Sequence, residues 1–167
     1  MATLLIVHHS PTRSMRALLE RVEAGAHDDE IPGVDVVVRP ALEATSDDVL
    51  GADGYLLGTT ANFGYMSGAL KHFFDSTFLA VGGALDPSGA PGDGADAEDA
   101  TTAGRPYGLW LHGRYDLTGA ERSVQSIVGA LGWRQGYDVL GVLGPVEDAA
   151  LESAYVLGAT IAALLVD

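Results

Sequence analysis

"GTTANFGYMSGALKHFFDST", residues 58–77, follows the apolar run Tyr55-Leu56-Leu57 and leads into a helical pattern. From Met66 onward, Met66, Leu70, Phe73, Phe74, Phe78 and Val81 recur at helical spacing, which predicts a helix over 66–81 with those side chains in the core. Lys71 and Asp75, one turn apart, read as a solvated ion pair. Gly64 and Gly68 permit close backbone approach. Thr59 to Tyr65 then reads as an exposed loop carrying Asn62, Phe63 and Tyr65. Two aromatic residues in such a loop make either a turn packed on itself or a seat for a flat ring. What converges on the loop decides between them.

Outward from this stretch the chain alternates. Near-continuous apolar strands are expected at 3–9, 34–40, 53–59, 106–112 and 136–144, with helices at 14–25, 47–52, 66–81, 118–132 and 147–166 between and after them. Apolar strands separated by helical patterns make a parallel sheet covered on both faces. Five such units fit a doubly wound α/β sheet in the order 2-1-3-4-5. At 167 residues the chain suits one domain, 1–167. Residues 86–104, "DPSGAPGDGADAEDATTAG", have no period and read as a polar surface loop holding much of the acidic charge.

Several function classes fall away. The chain has no cysteine, which excludes disulfides, thiolate nucleophiles and cysteine-ligated clusters, so redox chemistry would need a borrowed cofactor. Nine Lys/Arg against 23 Asp/Glu give a net charge of −14, a poor match to nucleic acid or an anionic membrane. The start "MATLLIVHHSP" shows no signal peptide, and the apolar stretch near 154–166 is too short to span a bilayer, so a soluble, cytoplasmic protein is expected. There is no GxGxxG after the first strand, no P-loop and no GxSxG. The five histidines lack metal-ligand spacing, so no metal site is expected.

Ligands of doubly wound sheets bind at the carboxyl ends of the strands. After the first strand, "HHSPTRSM" sets Ser10, Thr12 and Ser14 at the start of a helix, with Arg13 and Arg16 nearby. These hydroxyls suit either a phosphate at a helix N-terminus or an ordinary N-cap. After the fourth strand comes "LHGRYDLTG", with Arg114, Tyr115 and Asp116 beyond the Gly113 turn. The three loops meet at the switch point of the expected sheet. A flat heteroaromatic ring with a phosphate tail fits them, and flavin mononucleotide (FMN) is the natural candidate.

"ADGYLLGTTANFGYMSGALKHFFDSTF" (52–78) closely resembles the flavodoxin-like NAD(P)H-dependent FMN reductases, including the tryptophan-repressor-binding-protein-like quinone reductases. Gly58, Thr59, Phe63, Gly64, Met66, Gly68, Lys71, Phe73 and Asp75 match that family's pattern, and "AGRPYGLWLHG" (103–113) is similar to its fourth strand. Arg13 stands where the family usually has Gly, and Thr60 where it has Pro. The resemblance implies a flavodoxin-like fold and a phosphate held by Ser10, Thr12 and the backbone of Arg13, Ser14 and Met15. It also implies an isoalloxazine wrapped by Thr60, Ala61, Asn62, Phe63, Gly64 and Tyr65 and by His112, Gly113, Arg114, Tyr115 and Asp116. No side chain need be catalytic, because the flavin carries electrons from NAD(P)H to a quinone or flavin acceptor. Two alternatives stay open: a flavodoxin-type carrier serving a redox protein, and a flavodoxin-like module without FMN. A homo-oligomer is compatible with the apolar last helix.

Overall fold

A computed structural model describes residues 1–90 and 102–166. Along the chain run β1 (Ala2–His8), α1 (Arg13–Ala26), β2 (Val34–Pro40), α2 (Ser46–Leu50), β3 (Gly54–Asn62), β4 (Tyr65–Met66), α3 (Gly68–Thr77), β5 (Pro106–Gly113), α4 (Thr118–Ala130), β6 (Arg134–Gln135), β7 (Leu140–Leu143) and α5 (Asp148–Ala163). The sheet order is β2-β1-β3-β5-β6, with β7 also on β5 and β4 on β3. All pairings are parallel except β3 with β4. The expected doubly wound sheet is therefore present, with its fifth position filled by two short strands. Between them four residues, 136–139, stand opposite only Gly108 and Leu109 of β5, so the edge strand bulges and resumes in a new register.

Alternation along the strands builds two cores. Leu4, Ile6, Leu56 and Trp110 face α1 and α5, packing with Met15, Leu18, Val22, Leu157 and Ile161. Leu5, Val7, Leu57, Leu109 and Leu111 face the other way, against Leu70, Phe73 and Phe74 of α3 and Val124 and Val128 of α4. The buried Tyr55 ring stacks on Trp133 with centroids 3.9 Å apart, and its hydroxyl donates to the Val49 carbonyl. Arg105, which the sequence shows only as a lead-in to a strand, donates to the carbonyls of Val49, Leu50 and Ala52 and so satisfies the end of α2.

Four expectations need correction. The strand expected over 136–144 is only Leu140–Leu143, with Arg134–Gln135 on the sheet edge before it. Residues 60–62 are strand rather than loop, because β3 continues past β1 and pairs back with β4. The helix expected over 66–81 spans Gly68–Thr77, because Ser67 caps it and Tyr65–Met66 pair with β3. The core role of Leu70, Phe73 and Phe74 stands, and Lys71 and Asp75 form an exposed ion pair at 2.7 Å. Residues 91–101 of the expected 86–104 loop lie outside the described residues. Its end at Thr102 is not surface: the buried Thr102 hydroxyl donates to Val81 at 2.6 Å and accepts from the Trp133 indole at 3.0 Å.

Gly58 has no room for a side chain. The Trp110 indole lies across β3 at this point, and a β-carbon on Gly58 would sit 2.0 Å from the ring. Gly58→Ala should therefore displace the indole and destabilise the fold by about 1–3 kcal/mol through overpacking. The check is urea unfolding, where the midpoint should fall with little change in slope.

Candidate cofactor site at the carboxyl edge of the sheet

β1 ends at His8, which pairs with Gly58, whereas β3 runs four residues further and folds back on itself. Ala61 pairs with Met66 and Asn62 with Tyr65 across the two-residue turn Phe63–Gly64. Both turn residues have positive φ, 50° and 78°, as tight hairpins of this kind require. Gly64 adopts that conformation freely. Phe63 does not, at a cost of about 1–2 kcal/mol, and it is the only non-glycine residue with positive φ among the described residues. The turn throws the Phe63 ring fully into solvent, 109% exposed.

What holds the hairpin lies beneath it. The buried Thr59 hydroxyl donates to the Thr60 carbonyl at 2.8 Å and accepts the Ser67 N–H at 2.9 Å. Ser67 in turn caps α3, its hydroxyl accepting from Leu70 N–H at 3.1 Å. On the far side the start of α4 lies against the turn: a β-carbon on Gly119 would be 2.0 Å from the Gly64 carbonyl oxygen.

The loop after β1 is tied to β3 by the bond from His9 N–H to the Gly58 carbonyl, 3.0 Å. Ser10 and His8 share a hydrogen bond of 2.9 Å. Thr12 is the N-cap of α1, its hydroxyl accepting from Met15 N–H at 3.2 Å. The ordinary cap role therefore holds for Thr12 here. It leaves the first-turn N–H groups of Arg13 and Ser14 without helical partners, as any helix start does. The Met15 side chain is buried in the core, and its N–H is taken by the Thr12 hydroxyl. Arg13, Arg16 and Arg114 are exposed, and none has a carboxylate partner among the described residues.

After β5, Asp116 accepts from Thr118 N–H at 2.9 Å. Bonds to Thr118, backbone first and then side chain, hold its carboxyl below the usual carboxylate range. Asp116 thus serves the start of α4, whose cap residue Leu117 offers no side-chain bond. Tyr115 is 84% exposed, with the Arg114 guanidinium 5.8 Å from its ring centroid. The His112 Nε2–H donates to the Gly144 carbonyl at 2.7 Å.

Two clefts result, and they share Arg114. One, about 350 Å³, has Ala61–Gly64 on one wall and Arg114–Asp116 on the other. The second, about 540 Å³, is lined by Ser14, His112, Gly113, Arg114, Gly144 and Pro145. Together they form a trough from the start of α1 to the Phe63 and Tyr115 rings. Of the expected residues, Ser14, Ala61–Gly64 and His112–Asp116 line it; Ser10, Thr12, Arg13, Met15, Thr60 and Tyr65 do not. The hydroxyl of Thr60 is buried without a partner. Gly144 and Pro145 escaped the sequence reading, although a Gly-Pro pair after the last strand is a turn signal. A separate apolar groove of about 300 Å³, lined by Phe74, Phe78, Leu79, Leu85 and Ile127, lies between α3 and α4, away from these loops.

Burial, and then the neighbouring His9, hold His8 below the usual imidazole range. A histidine whose folded value is depressed resists charging. Its contribution to stability is complete above the unfolded value of about 6.5 and is lost as pH falls through and below it. Urea midpoints should therefore decline between about pH 7 and 5 more steeply in the wild type than in His8→Asn. Parallel pH profiles would contradict this.

No protein-family model matches the chain. It is 34% identical over 86 residues, 52% of its length, to a protein of Aquifex aeolicus (strain VF5) named flavodoxin. It spans about 45% of that relative's length. Three solved structures superpose on nearly all of it. A flavodoxin from the domain Archaea gives a TM-score of 0.76 at 18% identity, covering 99% of both chains. A flavodoxin, WrbA-like protein from Agrobacterium tumefaciens gives 0.71 at 15% identity, over 99% of this chain and 98% of that one. The flavodiiron protein of Giardia intestinalis gives 0.73 at 10% identity, over 98% of this chain and 36% of that one. Strand order, helices on both faces and superposition over the whole chain agree that the fold of this protein is flavodoxin-like.

Proposed function

We propose that the protein binds FMN in this trough and works as an electron-transfer flavoprotein. The observation that carries the reading is the pair of exposed aromatic rings, Phe63 and Tyr115, on opposite walls of one cleft at the end of a trough that starts at a helix N-terminus. Exposed rings of this size are otherwise unfavourable, and a planar ligand between them would bury both.

The residues present fit such a ligand. The first turn of α1 with Ser14 offers donors for a phosphate, and Arg114 on the lining, with Arg13 exposed on that first turn, offers charge. The Thr60 hydroxyl, in register with His112, is buried and unpartnered, an unsatisfied polar group behind the lining rather than part of it. FMN, when bound, supplies the redox chemistry, taking up and releasing electrons one or two at a time. The chain's part is to bind and orient it: the hairpin holds Phe63, the loop after β5 holds Tyr115, and the walls between them exclude water. No side chain is required as a general acid or base.

An aromatic ring on each wall favours a carrier, since a ring covered on both sides leaves little room for nicotinamide. The curated relative's name, flavodoxin, points the same way. A second reading, an NAD(P)H-dependent reductase acting on a quinone or flavin, is favoured by the reductase-like pattern over 58–75 and by the absence of tryptophan from both ring loops.

Purified protein should take up FMN, and Phe63→Ala or Tyr115→Ala should each weaken it by about 1–3 kcal/mol through lost burial and aromatic contact. Anaerobic stopped-flow absorbance separates the two readings. Slow bleaching by NADH and NADPH, accelerated in Tyr115→Ala, supports the carrier. Fast bleaching in wild type supports the reductase, and failure to bind FMN contradicts both.

A further inference from the structure

The larger cleft contains a group that a phosphate would not use. Alternation along β5 sends Leu109 and Leu111 toward α3 and α4 and Trp110 toward α1 and α5, so His112 falls on the α1 and α5 face. There it lines the cleft with Ser14, Arg114 and Gly144. Its Nε2 lies 2.7 Å from the Gly144 carbonyl oxygen. A carbonyl only accepts, so Nε2 carries the proton, and in the neutral imidazole Nδ1 is left as a bare acceptor. Nδ1 makes no hydrogen bond among the described residues. Parallel register pairs His112 with Thr60, whose hydroxyl is buried and also lacks a partner.

A bare nitrogen acceptor repels phosphate oxygens and matches an N–H or O–H donor. In the cleft that begins at Ser14, rather than the one holding Phe63 and Tyr115, the donor of a ring-and-phosphate ligand is an O–H of the chain between them. The larger cleft therefore offers, in one place, an acceptor for hydroxyls at His112 and a phosphate-binding end at Ser14 and the start of α1. We infer that His112 is a specificity residue: its Nδ1 accepts a hydrogen bond from the polyol chain of a phosphorylated ligand, with the Nε2 tie to Gly144 fixing the ring for that role. The inference rests on reading the trough as an FMN site, in which the polyol is the ribityl chain joining ring to phosphate. It sets His112 apart from the ring-wrapping role that the sequence resemblance implies for residues 112–116.

The test is a ligand series on wild type and His112→Phe, read by flavin fluorescence and, for folding, by circular dichroism. Lumiflavin has the ring alone, riboflavin adds the ribityl chain, and FMN adds the phosphate. Loss of one hydrogen bond should weaken riboflavin and FMN about three- to tenfold in His112→Phe while leaving lumiflavin unchanged. In wild type, the ¹⁵N resonance of His112 Nδ1, assigned by its absence from the variant, should move away from its bare-nitrogen position with riboflavin and stay put with lumiflavin. Equal weakening of all three ligands would make His112 only a staple between two loops and overturn the inference. So would an Nδ1 resonance that riboflavin does not move. If FMN binds and either result appears, the inference alone fails; if none of the three ligands binds, the FMN reading falls and the inference with it.

Discussion

The hydroxyl of Thr59 is the constraint on which the site depends. It is fully buried at the point where β3 runs on past β1, and it takes the Ser67 N–H while giving its proton to the Thr60 carbonyl. Those two bonds fasten both ends of the stretch that makes the hairpin. Without them the Ser67 N–H and the Thr60 carbonyl would lose a partner, at a cost of about 1–3 kcal/mol for each buried group. With them, β3 can overshoot the sheet, turn at Phe63–Gly64 and deliver the chain to the cap of α3. The strain at Phe63 is tolerated because the turn is held on both sides, by Thr59 from below and by α4 at Gly119.

The same constraint explains how two unrelated loops come to share a cleft. β3 and β5 are adjacent, with Thr60 opposite His112, so their ends project side by side. One turns back as a hairpin and presents Phe63. The other turns at Gly113 and presents Tyr115, braced by the bond from Asp116 to the start of α4. Charge follows position as well. In a chain of net charge −14, Arg13 and Arg16 on the first turn of α1 and Arg114 where the two clefts meet have no carboxylate partners among the described residues, which suits an anionic ligand.

Much of this was legible in the sequence, for physical reasons. Buried parallel strands read as unbroken apolar runs, so β1, β2, β3 and β5 stand out, and α1, α4 and α5 follow from their periodicity to within a few residues. The β3–β4 hairpin was not legible. Thr59, Thr60 and Asn62 look like loop residues, and their place in a strand depends on a long-range bond to Ser67 and on α4 packing behind the turn. The break in the edge strand was hidden because Gly136–Val139 continues an apolar pattern while leaving the ladder. His112 entered the site through the family resemblance, but its orientation depends on Gly144, thirty-two residues away. Gly144 and Pro145 read as a turn after the last strand, but nothing local marks that turn as a wall of the cleft.

The central claim is that one trough, from the start of α1 to the Phe63 and Tyr115 rings, receives FMN. A crystal structure of the protein grown with FMN tests it most directly. The account predicts phosphate density at the first turn of α1 beside Ser14 and a flavin ring lying between Phe63 and Tyr115. A flavin bound elsewhere, or crystals that stay colourless with an empty trough at saturating FMN, would contradict it.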